Sequence, residues 1–158
     1  IDNAFFEFME WQKDTQRDSG TSIRLNMLKI SSQLFMISPW IGFGEFSNLP
    51  LEKITNINSF ADPGSILTIQ CCGPHNDFAS HALKFGLLGI FSFVITYCAP
   101  IYIFLKSKYA QSAMMGIVLS SGILVCGFFS EMQTLKVNYT FYAVFISGLI
   151  ATTIWKKN

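Results

Sequence analysis

His75 and Arg24 are the two side chains of this sequence whose type and setting could do chemistry on a polar substrate. His75 lies in Gly73-Pro74-His75-Asn76-Asp77, just ahead of a long apolar run. A neutral imidazole at such a junction can take a proton from a hydroxyl or donate a hydrogen bond to a phosphate. Asp77 could cap the helix that follows and set the imidazole tautomer. The plainer reading is an interfacial histidine beside a helix cap. Arg24 stands near the start of an amphipathic segment, with Leu28 one turn later. Its guanidinium could hold a phosphate in bidentate fashion, helped by the helix dipole. The plainer reading here is a solvated arginine, or one paired with Asp14 or Asp18. A third feature is Pro39-Trp40-Ile41-Gly42-Phe43-Gly44, where Gly42 and Gly44 permit positive φ. It is either a turn beneath a lipid-linked substrate or a structural turn carrying an interfacial tryptophan.

Other chemistries find no motif. There is no CxxC, HExxH, GxxxxGK[ST] or GxSxG. Cys71 and Cys72 are adjacent, a spacing that bridges only with strain, and they read as small apolar residues. Two histidines without a further ligand cluster make no metal site. His81 does not share a helical face with His75 and reads as a packing or surface residue. Glu131, at the outer end of an apolar run, either faces a cavity or, on the plainer reading, is solvated.

The elements that must position these residues are set by composition. The 158 residues are 51% hydrophobic, 15% aromatic and only 13% charged, against about 25% charged in an ordinary soluble domain. Mean hydropathy is +0.39. A disordered chain and a free soluble enzyme are disfavoured, and a formal net charge of +1 excludes a basic nucleic-acid binder. The charges divide unevenly. Residues 1–84 carry six Lys/Arg against nine Asp/Glu, a net of −3, while residues 85–158 carry five Lys against Glu131 alone, a net of +4.

Three uncharged runs are long enough to span a bilayer, which takes roughly 20 apolar residues. They are Phe85–Leu105, Tyr109–Ser130 and Val137–Trp155. This gives an all-α membrane protein with spans at about 85–105, 110–130 and 137–155. Pro100 is expected to kink the first span, and Tyr109, Tyr139 and Trp155 to sit at interfaces. Gly116, Ser120 and Gly127 are the small residues by which the spans should pack. Lys106 and Lys108 in one link, and Lys156 and Lys157 in the tail, place those segments in the cytoplasm. Residues 1–84 then form a long, mostly helical loop on the outer face. The absence of Met at position 1 and of a leader makes the chain read as the C-terminal part of a larger polytopic protein.

Within the loop, Thr21 or Ser22 could cap a helix to about Ile37, with Ile23, Met27, Ile30, Leu34 and Ile37 at helical spacing. Ser38-Pro39 stops it. Residues 48–73 read as irregular, with Pro50 and Pro63 as loop signals. A second helix should start near Asn76 or Asp77 and continue into the first span.

Taken in order, Arg24-x₃-Leu28, Ser38-Pro39-x₂-Gly42-x-Gly44, His75-Asn76 and His75-x₁₀-Gly86 resemble the large periplasmic loop of the O-antigen ligase family. That family shares a superfamily with O-antigen polymerases and some protein O-glycosyltransferases. Its R-x₃-L and H-x₁₀-G motifs are matched in spacing and order, and Phe85–Phe93, FGLLGIFSF, is similar to the glycine-rich run after the family histidine. The resemblance covers roughly Gly20 to the C-terminus, with gaps in 45–72.

The resemblance implies a multi-pass protein of the bacterial inner membrane. It would move a glycan from undecaprenyl pyrophosphate to a sugar of the lipid A core, without metal or other cofactor. Arg24 would bind the pyrophosphate and His75 would act as general base. Asn76, Asp77, Leu28, Gly86, Gly42 and Gly44 would support them. Family members also use arginines from other segments, and the one other arginine here, Arg17, sits in no matching motif. This chain alone is therefore not expected to catalyse. The alternatives are an O-antigen polymerase of the same superfamily, or a polysaccharide transporter or flippase fragment without chemistry. The transporter reading expects ionisable residues inside the spans, and the spans have none.

Overall fold

The computed structural model describes residues 20–50, 63–130 and 136–155. Among them every regular element is helical. The order is α1 (Gly20–Ile37), a 3₁₀ turn (Phe46–Asn48), α2 (Pro63–Cys72), α3 (Asp77–Leu105), α4 (Ala110–Phe129) and α5 (Lys136–Trp155). The chain forms two compact units. One holds the described residues up to His75 together with Ala79–Gly89, and the other holds Asn76–Phe78 and the described residues from Ile90 onward. The division after Gly89 falls inside α3, beyond the charge boundary at Lys84.

In the first unit, the 3.6-residue repeat of α1 puts Met27, Ile30 and Leu34 on one buried face. They form a core with Leu49, Ile69 and Leu83, flanked by Ile23, Phe43, Phe46 and Ile66. Ile37, counted on that face from spacing, is exposed because the helix ends there and the chain turns at Ser38-Pro39. Residues 63–72 are not irregular as expected but helical. Pro63 stands at the first helical position, where its missing N–H costs nothing and its fixed φ suits the helix. Ile66 and Ile69 then face the core while Leu67 faces outward.

In the second unit, Phe93, Tyr97, Phe104, Ala113, Tyr142 and Ile146 form the core. As spacing suggested, Gly116, Ser120 and Gly127 are buried on α4. Gly116 lies against the Phe104 ring, so any larger side chain would displace it. The Tyr142 hydroxyl donates to the Thr96 carbonyl at 3.0 Å and also lies 3.4 Å from Ser120 Oγ.

Two helices, α3 and α4, are long and apolar enough to cross a membrane. In each, only 22% of the apolar window is buried, whereas a core helix of a soluble domain would be mostly covered. The third apolar helical stretch, Val137–Thr153, is shorter. The break in α3 is also not where proline placed it. Pro100 sits buried within continuous helix, and the non-helical residue is Gly86, at φ 62° and ψ −142°. Beyond the break, Leu87–Leu105 at about 1.5 Å per residue extends roughly 28 Å, close to the hydrocarbon thickness of a bilayer.

Candidate functional site

The break at Gly86 is made by a turn from elsewhere in the chain. Ser38 Oγ donates to the Gly42 carbonyl at 3.0 Å, and the Gly42 N–H donates to the Ser38 carbonyl at 3.2 Å, closing the turn. Gly42 and Gly44 both have positive φ, 67° and 78°, as the sequence led one to expect. The turn then exchanges hydrogen bonds with α3. In an unbroken helix the Leu87 N–H would donate to the Leu83 carbonyl. Here it donates to the Pro39 carbonyl at 2.7 Å. The Leu83 carbonyl instead accepts from Phe43 N–H at 2.8 Å, and the Lys84 carbonyl accepts from Gly44 N–H at 2.9 Å. Three backbone groups freed by the break thus find partners in the turn, which matters at the head of an apolar helix.

Both glycines of this junction are required by space as well as by φ. A Cβ on Gly86 would stand 2.5 Å from the Pro39 carbonyl oxygen and from the Trp40 carbonyl carbon. A Cβ on Gly42 would stand 2.5 Å from the carbonyl of Lys84. Gly42 and Gly86 are thus brought together by the fold, although 44 positions separate them in the sequence.

His75 sits in a tight connection between two helices. Gly73, at φ 86°, ends α2 in the left-handed region, and its N–H donates to the Ile69 carbonyl at 3.0 Å. Pro74 follows, buried, and His75 has φ 50°, the one non-glycine residue with positive φ among those described. Histidine is among the residues that tolerate this region, and such positions cluster at functional sites. The imidazole is exposed and makes no hydrogen bond among the described residues.

Asp77 does not hold the His75 imidazole. It is the first residue of α3 and fully buried, packed against Gly127, where a Cβ would come within 2.7 Å of Asp77 Oδ2. A carboxylate in the first turn is favoured by the helix dipole. Asn76, in the capping position before it, donates from Nδ2 to the Phe128 carbonyl at 2.8 Å and so satisfies an end group of α4. Both residues therefore serve as backbone and packing anchors within the second unit. His81 is half-buried, with its ring beside Phe85, in keeping with a packing role.

Arg24 projects from the exposed face of α1, one turn in from the helix start, with no ion pair among the described residues. Leu28 is 40% exposed on the same face and takes no part in the core. No hydrogen bond or ion pair joins Arg24 to His75. Asp14, Arg17, Asp18 and Glu131 lie outside the described residues.

A cavity of about 300 Å³ that sequence reasoning missed opens in the same unit. Its walls are Glu45, Phe46 and Ser47 beyond the Gly44 turn, Gln70 and Cys71 at the end of α2, and Lys84 on α3. The Lys84 ammonium lies 4.3 Å from the centre of the Phe46 ring, a cation–π arrangement. Cys71 is joined to Cys72 in a disulfide, so the pair is not merely two small apolar residues. The sequence signal for the cavity is Lys84, the last charge before the uncharged run Phe85–Leu105. Comparison with family models, with curated proteins and with solved structures finds no match to this chain.

Proposed function

We propose that this chain acts in glycosyl transfer of the O-antigen ligase type, on a polyprenyl-pyrophosphate-linked glycan at the outer face of the bacterial inner membrane. The observation that carries the reading is the docking of the Gly42 turn on Gly86. Two separated motifs of the resemblance meet there through three backbone hydrogen bonds, at the head of a helix long and apolar enough to span. His75, in its strained turn, and Arg24 belong to the same compact unit. In this reading all three apolar helices are spans, and residues 1–84 face the periplasm.

The chemistry follows from the residue types. An acceptor hydroxyl of the lipid A core attacks the anomeric carbon of the donor sugar. The new glycosidic C–O bond forms as the bond from that carbon to the pyrophosphate oxygen breaks. His75 takes the hydroxyl proton, and undecaprenyl pyrophosphate leaves with the bond electrons. Arg24 offsets the charge that builds on the leaving oxygen. An exposed imidazole with no protein hydrogen-bond partner among the described residues is available to a substrate hydroxyl.

Complementation tests the proposal. The gene is expressed in a ligase-deficient Gram-negative strain, with any flanking sequence it encodes, and polymer-bearing lipopolysaccharide is scored on a gel. Wild type should restore it, while His75→Asn and Arg24→Ala, at normal membrane levels, should not. Rescue of a polymerase-deficient strain instead would reassign the acceptor. Full activity of both variants would remove both roles.

A further inference from the structure

We propose that the Lys84 cavity binds a phosphodiester flanked by hydroxyls, the chemistry of a glycerol- or sugar-bearing lipid headgroup. The inference stands apart from transfer chemistry at His75 and goes beyond it. Four observations carry it.

Lys84 is held at both ends. Its carbonyl accepts from Gly44 N–H, and its ammonium lies over Phe46. It makes no ion pair among the described residues, although Glu45 lines the same cavity. The walls thus offer one cation and one separate carboxylate, together with the Ser47 hydroxyl and the Gln70 amide.

That pairing selects a ligand. A phosphomonoester approaching its second ionisation would meet Glu45 as a repulsive neighbour. A phosphodiester carries a single charge, which Lys84 can meet by charge-assisted hydrogen bonds. Hydroxyls on the adjoining group can donate to Glu45, which as a carboxylate only accepts.

Place and size agree. Lys84 is the last charge before the uncharged run Phe85–Leu105, so its ammonium belongs at headgroup level, with its alkyl stem along apolar surface. A cavity of about 300 Å³ lies at the lower end of small-molecule sites and fits a headgroup better than a polymer.

The test uses the full chain in nanodiscs of phosphatidylcholine doped with either phosphatidylglycerol or phosphatidic acid, with retained lipid counted by native mass spectrometry. Phosphatidylglycerol should be retained over phosphatidylcholine. Lys84→Gln should lower its retention about tenfold or more, since it removes a hydrogen bond to a charged group. Lys84→Arg should keep it. Glu45→Gln should shift preference toward phosphatidic acid, because it removes the repulsion while leaving only a weaker, neutral acceptor for hydroxyls. Competition by soluble glycerophosphoglycerol would show that the cavity also takes the group from water; retention without competition would restrict it to membrane lipid. Equal retention of phosphatidylglycerol by wild type and Lys84→Gln overturns the site. So does a wild type that retains both anionic lipids alike and is indifferent to Glu45→Gln, the behaviour of a nonspecific cation.

Discussion

Replacing Gly86 by alanine should undock the 38–44 turn while leaving the helical core in place. The local cost can be worked from the geometry. At φ 62° and ψ −142° a residue with a Cβ is strained by about 1–3 kcal/mol. Its Cβ would also stand 2.5 Å from the backbone of Pro39 and Trp40, where ordinary contact is farther out, and backbone atoms cannot swing aside. Relief requires the loop to retreat and the 2.7 Å bond from Leu87 N–H to Pro39 to break, at a net cost of about 1 kcal/mol. Straightening α3 through position 86 would cost more, because the Phe43 and Gly44 N–H groups would lose their acceptors and Phe78 would leave Phe93 and Phe128. Retreat of the loop thus sums to about 3 kcal/mol against the docked turn, or roughly two orders of magnitude in its opening equilibrium. Hydrogen exchange by mass spectrometry, in detergent or nanodiscs, reads this directly. The Phe43 and Gly44 amides should exchange about a hundredfold faster in Gly86→Ala, with the amides of α4 unchanged. Gly122→Ala is the control, because a Cβ there meets nothing within 4 Å, and it should leave the turn's exchange as in wild type. Unchanged protection at Phe43 and Gly44 in Gly86→Ala would refute the argument that the turn and the break hold each other.

Two further outcomes follow from packing. Leu34→Ala removes a fully buried side chain from the first unit's core and should destabilise it by about 2–5 kcal/mol, seen as a lower urea midpoint in that unit's exchange protection. Tyr142→Phe keeps the ring but loses the bond to Thr96 and should cost about 0.5–1.5 kcal/mol in thermal unfolding; no loss would mean the hydroxyl is equally well solvated elsewhere.

Much of the fold was legible because it rests on periodicity and length. The limits of α1, α4 and α5 fall within a residue or two of those read from spacing and charge. Where local rules spoke with two meanings, the reading failed. Pro63 signals a loop or the first turn of a helix, and Ile66 and Ile69, which decide between them, needed the core of α1 to do so. Pro100 was expected to bend α3, yet the break sits at Gly86, because its bonding partners come from Pro39, Phe43 and Gly44, far away in the sequence. The same long-range docking explains why Gly42 and Gly44 could be singled out as turn formers while their partner carbonyls could not. Lys84 and Glu45 escaped notice because neither belongs to a local pattern; only the folded turn brings both to one cavity. His75 and Asp77 show the converse. Their adjacency suggested a pair, and the onset of α3 buries one while leaving the other exposed.

The break at Gly86 also acts as a ruler. As one unbroken rod, α3 with its 29 residues would measure about 44 Å, well beyond the roughly 30 Å of hydrocarbon in a typical bilayer. A rod of that length must tilt, bend or thicken the lipid around it, each at a modest cost per ångström of mismatch. By surrendering its helical bonds to the turn at one point, the helix keeps a straight apolar section of about 28 Å, and the segment before the break folds back so that Phe78 meets Phe93 and Asp77 meets Gly127. In the membrane reading proposed above, a variant that straightens α3 presents a longer rod to the bilayer and should prefer thicker membranes than the wild type.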